Sequence, residues 1–215
     1  MTLPSQIIQT IRQVTATEAQ FLPLHEPMFR GREKEYLNEC IDTGWVSSVG
    51  RFVDRLEGDL AAYTGVKRAV VTVNGTAALH ICLLLAGVQA GDEVLMPALS
   101  FIATANAVAY CGALPHFVDS ERASLGVDMA ALEAYLQEIG QRKRDGLYNK
   151  YSGRRIAAFV PMHTFGHPVN LEAAVALCER MGLVLIEDAA ESLGSYYKGT
   201  HTGNWGRLSA LSFNG

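Results

Sequence analysis

The chain has 215 residues, with 18 Lys and Arg against 22 Asp and Glu, a net charge of -4, 49% apolar and 19% charged side chains. These proportions describe an ordinary folded protein; they argue against a disordered chain, a collagen-like repeat and a strongly cationic nucleic-acid binder. The longest near-continuous apolar run, residues 81–88, is far short of the ~20 needed to cross a bilayer, and the first residues do not read as a secretory leader. A cytoplasmic location is expected, with neither a membrane nor a nucleic acid as partner.

Residues 1–22 carry Ile7, Ile8, Ile11 and Val14 at helical spacing behind Pro4 and Ser5, which predicts an amphipathic arm ahead of a domain at 23–215. A Pro-containing link at 21–28 leads to a helical pattern through Tyr36, Leu37, Cys40 and Ile41 that Gly44 stops, and a third helix over 52–63 ends at Gly65. From residue 68 short apolar runs alternate with helix-length patterns. Strands are predicted at 70–73, 93–96, 114–118, 156–160, 183–186 and 208–213, and helices at 75–87, 100–111, 128–139 and 171–181. Near-continuous apolar strands separated by crossover helices specify an α/β fold, a mostly parallel sheet with helices on both faces. In such sheets ligands sit beyond the carboxyl ends of the strands.

The cysteines, Cys40, Cys82, Cys111 and Cys178, are widely spaced within or beside apolar stretches, which reads as four buried thiols rather than a metal or disulfide framework. His163 and His167 stand four apart, but Gly166 lies between them and Pro168 follows, so the helix that a two-histidine metal site needs is not expected. The basic stretch 141–155, with Arg142, Lys143, Arg144, Lys150, Arg154 and Arg155, reads as a solvated loop in a chain that is acidic overall.

Three strand ends carry groups with chemical potential. Gly75 and Thr76 open a helix directly after the first strand; this is either an N-cap or an anion cradle suited to phosphate. Glu187 and Asp188 close a buried strand, where a carboxylate can bind metal, exchange a proton, pair with a protonated ring nitrogen or cap a turn. Ser212, near the end of the last strand, offers a further hydroxyl. A nicotinamide-binding Rossmann domain fits poorly, because the first strand–helix turn lacks G-x-G-x-x-G.

Taken in order, V-N-G-T-A-A-L-H, G-D-E-V-L-M-P-A-L-S-F-I-A-T-A-N-A-V, V-P-M-H-T-F-G-H-P, L-I-E-D-A-A-E-S-L-G-S-Y-Y-K-G and L-S-F-N-G make a constellation that resembles the DegT/DnrJ/EryC1/StrS family. The resemblance implies a pyridoxal-phosphate-dependent sugar aminotransferase of fold type I, the aspartate aminotransferase-like architecture. It is most similar to the branch acting on nucleotide-linked 4-keto-6-deoxyhexoses, of perosamine, legionaminic or bacillosamine type, in making polysaccharide or glycan precursors. By this resemblance Gly75, Thr76 and Ser212 hold the phosphate of pyridoxal 5'-phosphate, Phe101 stacks on its ring and Asp188 pairs with the ring nitrogen. Glu191 occupies a position expected to meet the phenolic oxygen, where many members have Gln; it is either protonated or points elsewhere. His163, Trp45 and Ser47 match segments near the sugar. A homodimer with shared active sites is implied, along with a nucleotide-sugar substrate and an amino donor, L-glutamate in this branch's chemistry.

The family's Schiff-base lysine is expected two places beyond Gly215, so no catalytic residue is assigned within 1–215. The resemblance thus implies an incomplete large domain that lacks the small C-terminal domain, truncated or cut at the modified lysine and inactive alone. It also implies that a later antiparallel strand lies between 70–73 and 208–213, so that two strand edges are left unpaired here. The other readings are a non-catalytic or regulatory protein of the same fold and a dehydratase-type relative with histidine in place of that lysine.

Overall fold

The computed structural model describes residues 2–23 and 27–213. Part of the 21–28 link (24–26) and the last two residues of the L-S-F-N-G motif (214 and 215) lie outside the described residues. The chain divides into two compact units, one formed by the first 44 residues and the other running from Trp45 to Asn214.

In the first unit, α1 (Leu3–Thr15) starts with proline in its first turn, where the missing N–H costs nothing, and ends on Ala16 in a left-handed conformation. Helix α2 (Glu33–Thr43) ends on Gly44 at φ 74°, a conformation glycine adopts without penalty. Neither helix buries a residue; Ile7, Ile8, Ile11 and Val14 of α1 all remain exposed.

The second unit begins with α3 (Arg51–Thr64) and α4 (Gly75–Leu85). There follow β1 (Glu93–Pro97), α5 (Ile102–Tyr110), β2 (Leu114–Val118), α6 (Met129–Ile139), β3 (Gly140–Lys143), β4 (Gly146–Asn149) and β5 (Arg155–Phe159). A single 3-10 turn (Thr164–Gly166), α7 (Leu171–Met181), β6 (Val184–Asp188), the short hairpin β7 (Tyr196–Tyr197) and β8 (Thr200–His201), and β9 (Leu208–Ala210) complete it. Three of the helices open on a side chain that accepts an N–H of the first turn: Asn74 at α4, Asp128 at α6 and Asn170 at α7.

The parallel strands run in the spatial order β2-β1-β5-β6-β9. Successive side chains on a strand point to opposite faces, and the core divides accordingly. Leu95, Phe159 and Leu185 pack with α6 and α7, whereas Val94, Ala158, Val160 and Ile186 pack with α4 and α5. Both faces of the sheet are therefore covered, as the apolar strands predicted.

Three expectations need correction. Residues 70–73 form no strand: β9 pairs only with β6, so 70–73 has no ladder partner among the described residues, and Val70 and Val73 are exposed. The basic stretch is not merely a loop. Its first part is the antiparallel hairpin β3–β4, which pairs with β5 and buries Leu147 and Asn149, while Arg142 and Lys143 of β3 stay exposed. Of the four thiols, Cys82 and Cys178 are buried while Cys40 and Cys111 are only half-buried. Burial pushes the thiol of Cys82 up to about 11 and that of Cys178 to about 12.

Candidate active site

The site is assembled at the carboxyl ends of β6 and β9. Their parallel register sets Asp188 opposite Ala210, so Ser212 follows two residues beyond the same rim. Helix α4 packs against β9, and its first residue lies directly on Ser212: a Cβ added to Gly75 would stand 3.1 Å from Ser212 Cβ and 3.2 Å from its Oγ. Only glycine admits that approach without displacing the serine. Thr76 comes next, in the first turn, where N–H groups lack helical acceptors and the helix dipole presents its positive end. One of these groups, the Ala77 N–H, is already taken by the Asn74 side chain. Gly75, Thr76 and Ser212 are each half-buried, which shields an anion yet leaves a way in.

Asp188 is almost fully buried at 2% exposure. Its backbone is fixed on both sides: the N–H donates to Pro161 O at 2.9 Å and the carbonyl accepts from His163 N at 3.1 Å. The carboxylate accepts the Thr104 hydroxyl at 2.5 Å through Oδ2 and the Ala190 N–H at 3.2 Å through Oδ1. Burial pushes this carboxyl above its ordinary range, while the Thr104 and Ala190 bonds pull in the opposite direction. Thr104 itself is 1% exposed in the first turn of α5, with Ser100 Oγ 3.2 Å from its hydroxyl. The result is an oriented buried carboxylate, a group that attracts a facing cation strongly.

Glu187, one residue earlier, points to the other face of the strand and does different work. Its Oε1 accepts the N–H groups of Trp205 and Gly206, both at 2.7 Å, and its Oε2 accepts Gly203 N–H at 2.8 Å and the His163 ring at 3.1 Å. Burial alone would push this carboxyl up, but the His163 bond and the Gly206 and Gly203 N–H groups outweigh it and hold it below the usual carboxylate range. Glu187 thus ties down the 203–206 loop that leads into β9 and Ser212. The acidic pair divides its labour: one carboxylate faces the rim, and the other anchors the loop that shapes it.

The remaining predicted residues take varied places. Phe101 is the N-cap of α5 and 65% exposed, three residues before Thr104. Glu191 is exposed and its Oε2 accepts the backbone Phe165 N–H at 2.8 Å. His163 is fully buried; Val169 N–H donates to Nδ1 at 3.4 Å, which assigns the ring proton to Nε2, facing Glu187. Trp45 and Ser47 are exposed in the segment before α3, where the Trp45 ring packs near Gly50. Neither shares a hydrogen bond with Asp188 or Thr104.

Sequence reasoning missed Thr104, and it named Glu187 only as half of an acidic pair, without its role in anchoring the 203–206 loop. The signal for Thr104 was its polar side chain on a mostly apolar helix, Ile102–Tyr110, a signal that Asn106 shares. Glu187 was visible as a charge closing an apolar strand, but its partners lie 16 to 19 residues further along the chain.

A mostly parallel sheet covered on both faces, with a buried carboxylate at one rim, is the α/β architecture of a fold-type-I transferase. Comparison with known proteins gives the same answer: residues 27–215 match the DegT/DnrJ/EryC1/StrS aminotransferase family, and the chain belongs to it. The cofactor of this family is pyridoxal 5'-phosphate. The chain is similar to the GDP-perosamine synthases of Escherichia coli O157:H7, with 38% identity over 91% of this chain and 50% of that protein, and of Caulobacter vibrioides, with 39% identity over 88% and 47%. Among solved structures it resembles a family aminotransferase from Brucella abortus, at 30% identity and TM-score 0.74, covering 85% of this chain and 46% of that one. The chain spans about half the length of the curated relatives it matches. No helix among the described residues is long and apolar enough to cross a membrane.

Proposed function

We propose that Gly75, Thr76 and Ser212 hold the phosphate of pyridoxal 5'-phosphate while Asp188 pairs with the protonated ring nitrogen. The whole protein would transfer an amino group from L-glutamate to the C4 ketone of a nucleotide-linked 4-keto-6-deoxyhexose, for polysaccharide or glycan precursors made in the cytoplasm. What carries this reading is the shared rim: the buried Asp188 carboxylate is in register with Ala210, and two residues later Ser212 meets the glycine-opened start of α4.

When bound, the cofactor supplies an electron sink for the carbon that loses a proton. The chain supplies the setting. Asp188, whose ionised form burial disfavours and the Thr104 hydroxyl and Ala190 N–H favour, gains a cationic partner in the protonated nitrogen facing it and so holds the proton there. Thr76, Ser212 and the α4 terminus take the anionic tail, and anchoring both ends of a rigid ring fixes its orientation. Phe101, exposed at the start of α5, covers one face of the ring. On the sugar side we place Trp45 and Ser47, completed by a second copy in a homodimer, with His163 supporting from beneath.

The test uses the whole protein that carries this chain, purified with pyridoxal 5'-phosphate and given glutamate and nucleotide-linked 4-keto sugars. The reading expects a coloured protein, an aminated sugar detected by mass, and weaker cofactor binding in Thr76→Ala and Ser212→Ala. A wild-type protein that stays colourless, or variants that hold the cofactor as tightly as wild type, would contradict it.

A further inference from the structure

The turn after β5 contains an anomaly that the proposed cofactor contacts leave unused. Phe165 stands at φ 52° and ψ 29°, in the left-handed region, with its ring 72% exposed. Left-handed backbone is ordinary for Gly, Asn or Asp and unusual for a bulky residue with a Cβ. Gly166 follows at φ 81°, and there glycine is required: a Cβ would come within 3.0 Å of Glu191 O. No such crowding explains Phe165. An apolar ring held out in water on an unfavourable backbone gains nothing for the chain itself, and strained positions of this kind collect at ligand clamps.

Two side chains from the loop after β6 hold the turn in place. Glu191 Oε2 accepts the Phe165 N–H at 2.8 Å, and Ser195 Oγ donates to the Gly166 carbonyl at 2.8 Å. The buried Thr164, with its hydroxyl 3.5 Å from Leu125 O, anchors the turn from inside. The backbone on both sides starts at Asp188: His163 N–H donates to the Asp188 carbonyl, and Glu191 lies three residues beyond Asp188. The clamp therefore rises from the rim that carries the cradle.

We infer that Glu191 is a positioning residue whose carboxylate, together with the Ser195 hydroxyl, fixes the turn so that the Phe165 ring is presented as an apolar platform for the hexose of the substrate. The inference rests on the proposed sugar aminotransferase reading. A deoxyhexose offers C–H groups and a methyl that pack on an aromatic face, whereas the small, charged amino donor offers no such surface. Phe165 accordingly discriminates between the two substrates.

The experiment measures KM for the nucleotide sugar and for the amino donor, with the cofactor's absorption spectrum, in the whole protein. Phe165→Gly removes the ring while suiting the left-handed backbone, so the turn persists. Glu191→Ala removes the acceptor, and Glu191→Gln keeps one. The expected result is a rise of about tenfold in sugar KM for Phe165→Gly and Glu191→Ala, the scale of one apolar contact. The donor KM is expected to move far less, and Glu191→Gln to restore near wild-type behaviour. An unchanged sugar KM in Phe165→Gly would overturn the inference, and so would a changed oligomeric state with sugar KM intact, which would make the ring a contact between copies. A shifted cofactor spectrum in Glu191→Ala would overturn it too, because Glu191 would then touch the cofactor. A wild-type protein that takes no amino group from any donor would instead defeat the underlying functional reading.

Discussion

Asp188 is held in two opposed environments. Burial raises its carboxyl above the ordinary range, so the folded protein is less stable with Asp188 ionised than with it protonated, and the penalty grows as pH rises through that raised value. Such a cost is tolerated where a cation is to be received. Asp188→Asn is predicted to leave the cofactor-free protein at least as stable as wild type by thermal melting, while cofactor affinity falls by roughly tenfold or more, the value of one charge-assisted bond. Gly75 makes the complementary case. Gly75→Ala places a methyl 3.1 Å from Ser212 Cβ, so the serine must shift by a few tenths of an ångström. Phosphate or cofactor titration is predicted to show weakened binding in this variant with little change in helix content.

The elements around the site depend on Glu187 more than on any other charge. Removing its side chain orphans three loop N–H groups and the His163 ring at once, and Glu187→Ala is predicted to cost about 3 kcal/mol in chemical denaturation. The sign of its pH dependence is opposite to that of Asp188. A carboxyl held low in the folded state contributes fully above the usual carboxylate range, and the contribution fades as pH falls through the folded value. Melting temperatures between pH ~7 and ~4 are predicted to fall less steeply in Glu187→Gln than in wild type. These partners also mark where sequence reading stops. Helix α7 was legible to the residue because Asn170, Gly182 and the apolar spacing of Leu171, Ala174, Leu177 and Cys178 agree locally. The β3–β4 hairpin was hidden because Arg142, Lys143 and Arg144 dominate the text, while the feature that decides it, Leu147 opposite Ile156, is a pairing across the sheet. The candidates Gly75, Asp188 and Ser212 were legible through motif, but the Thr104–Asp188 bond joins residues 84 apart and left no local trace.

Over the whole molecule, the five parallel strands bring the ends of β5, β6 and β9 to one rim, and every proposed cofactor and sugar contact except the Trp45 segment is argued from that rim or from the helices beside it. Residues 70–73, apolar and strand-like in sequence, have no strand alongside among the described residues, and Val71 N–H donates to Glu57 at 2.8 Å. The measurement that bears most directly on this arrangement is a crystal structure of the whole protein with pyridoxal 5'-phosphate bound. The account predicts phosphate oxygens about 3 Å from Ser212 Oγ and the first N–H groups of α4, with the ring nitrogen at a similar distance from Asp188. A cofactor seated with its phosphate away from Gly75 and Ser212, or with Asp188 facing no ring nitrogen, would contradict it.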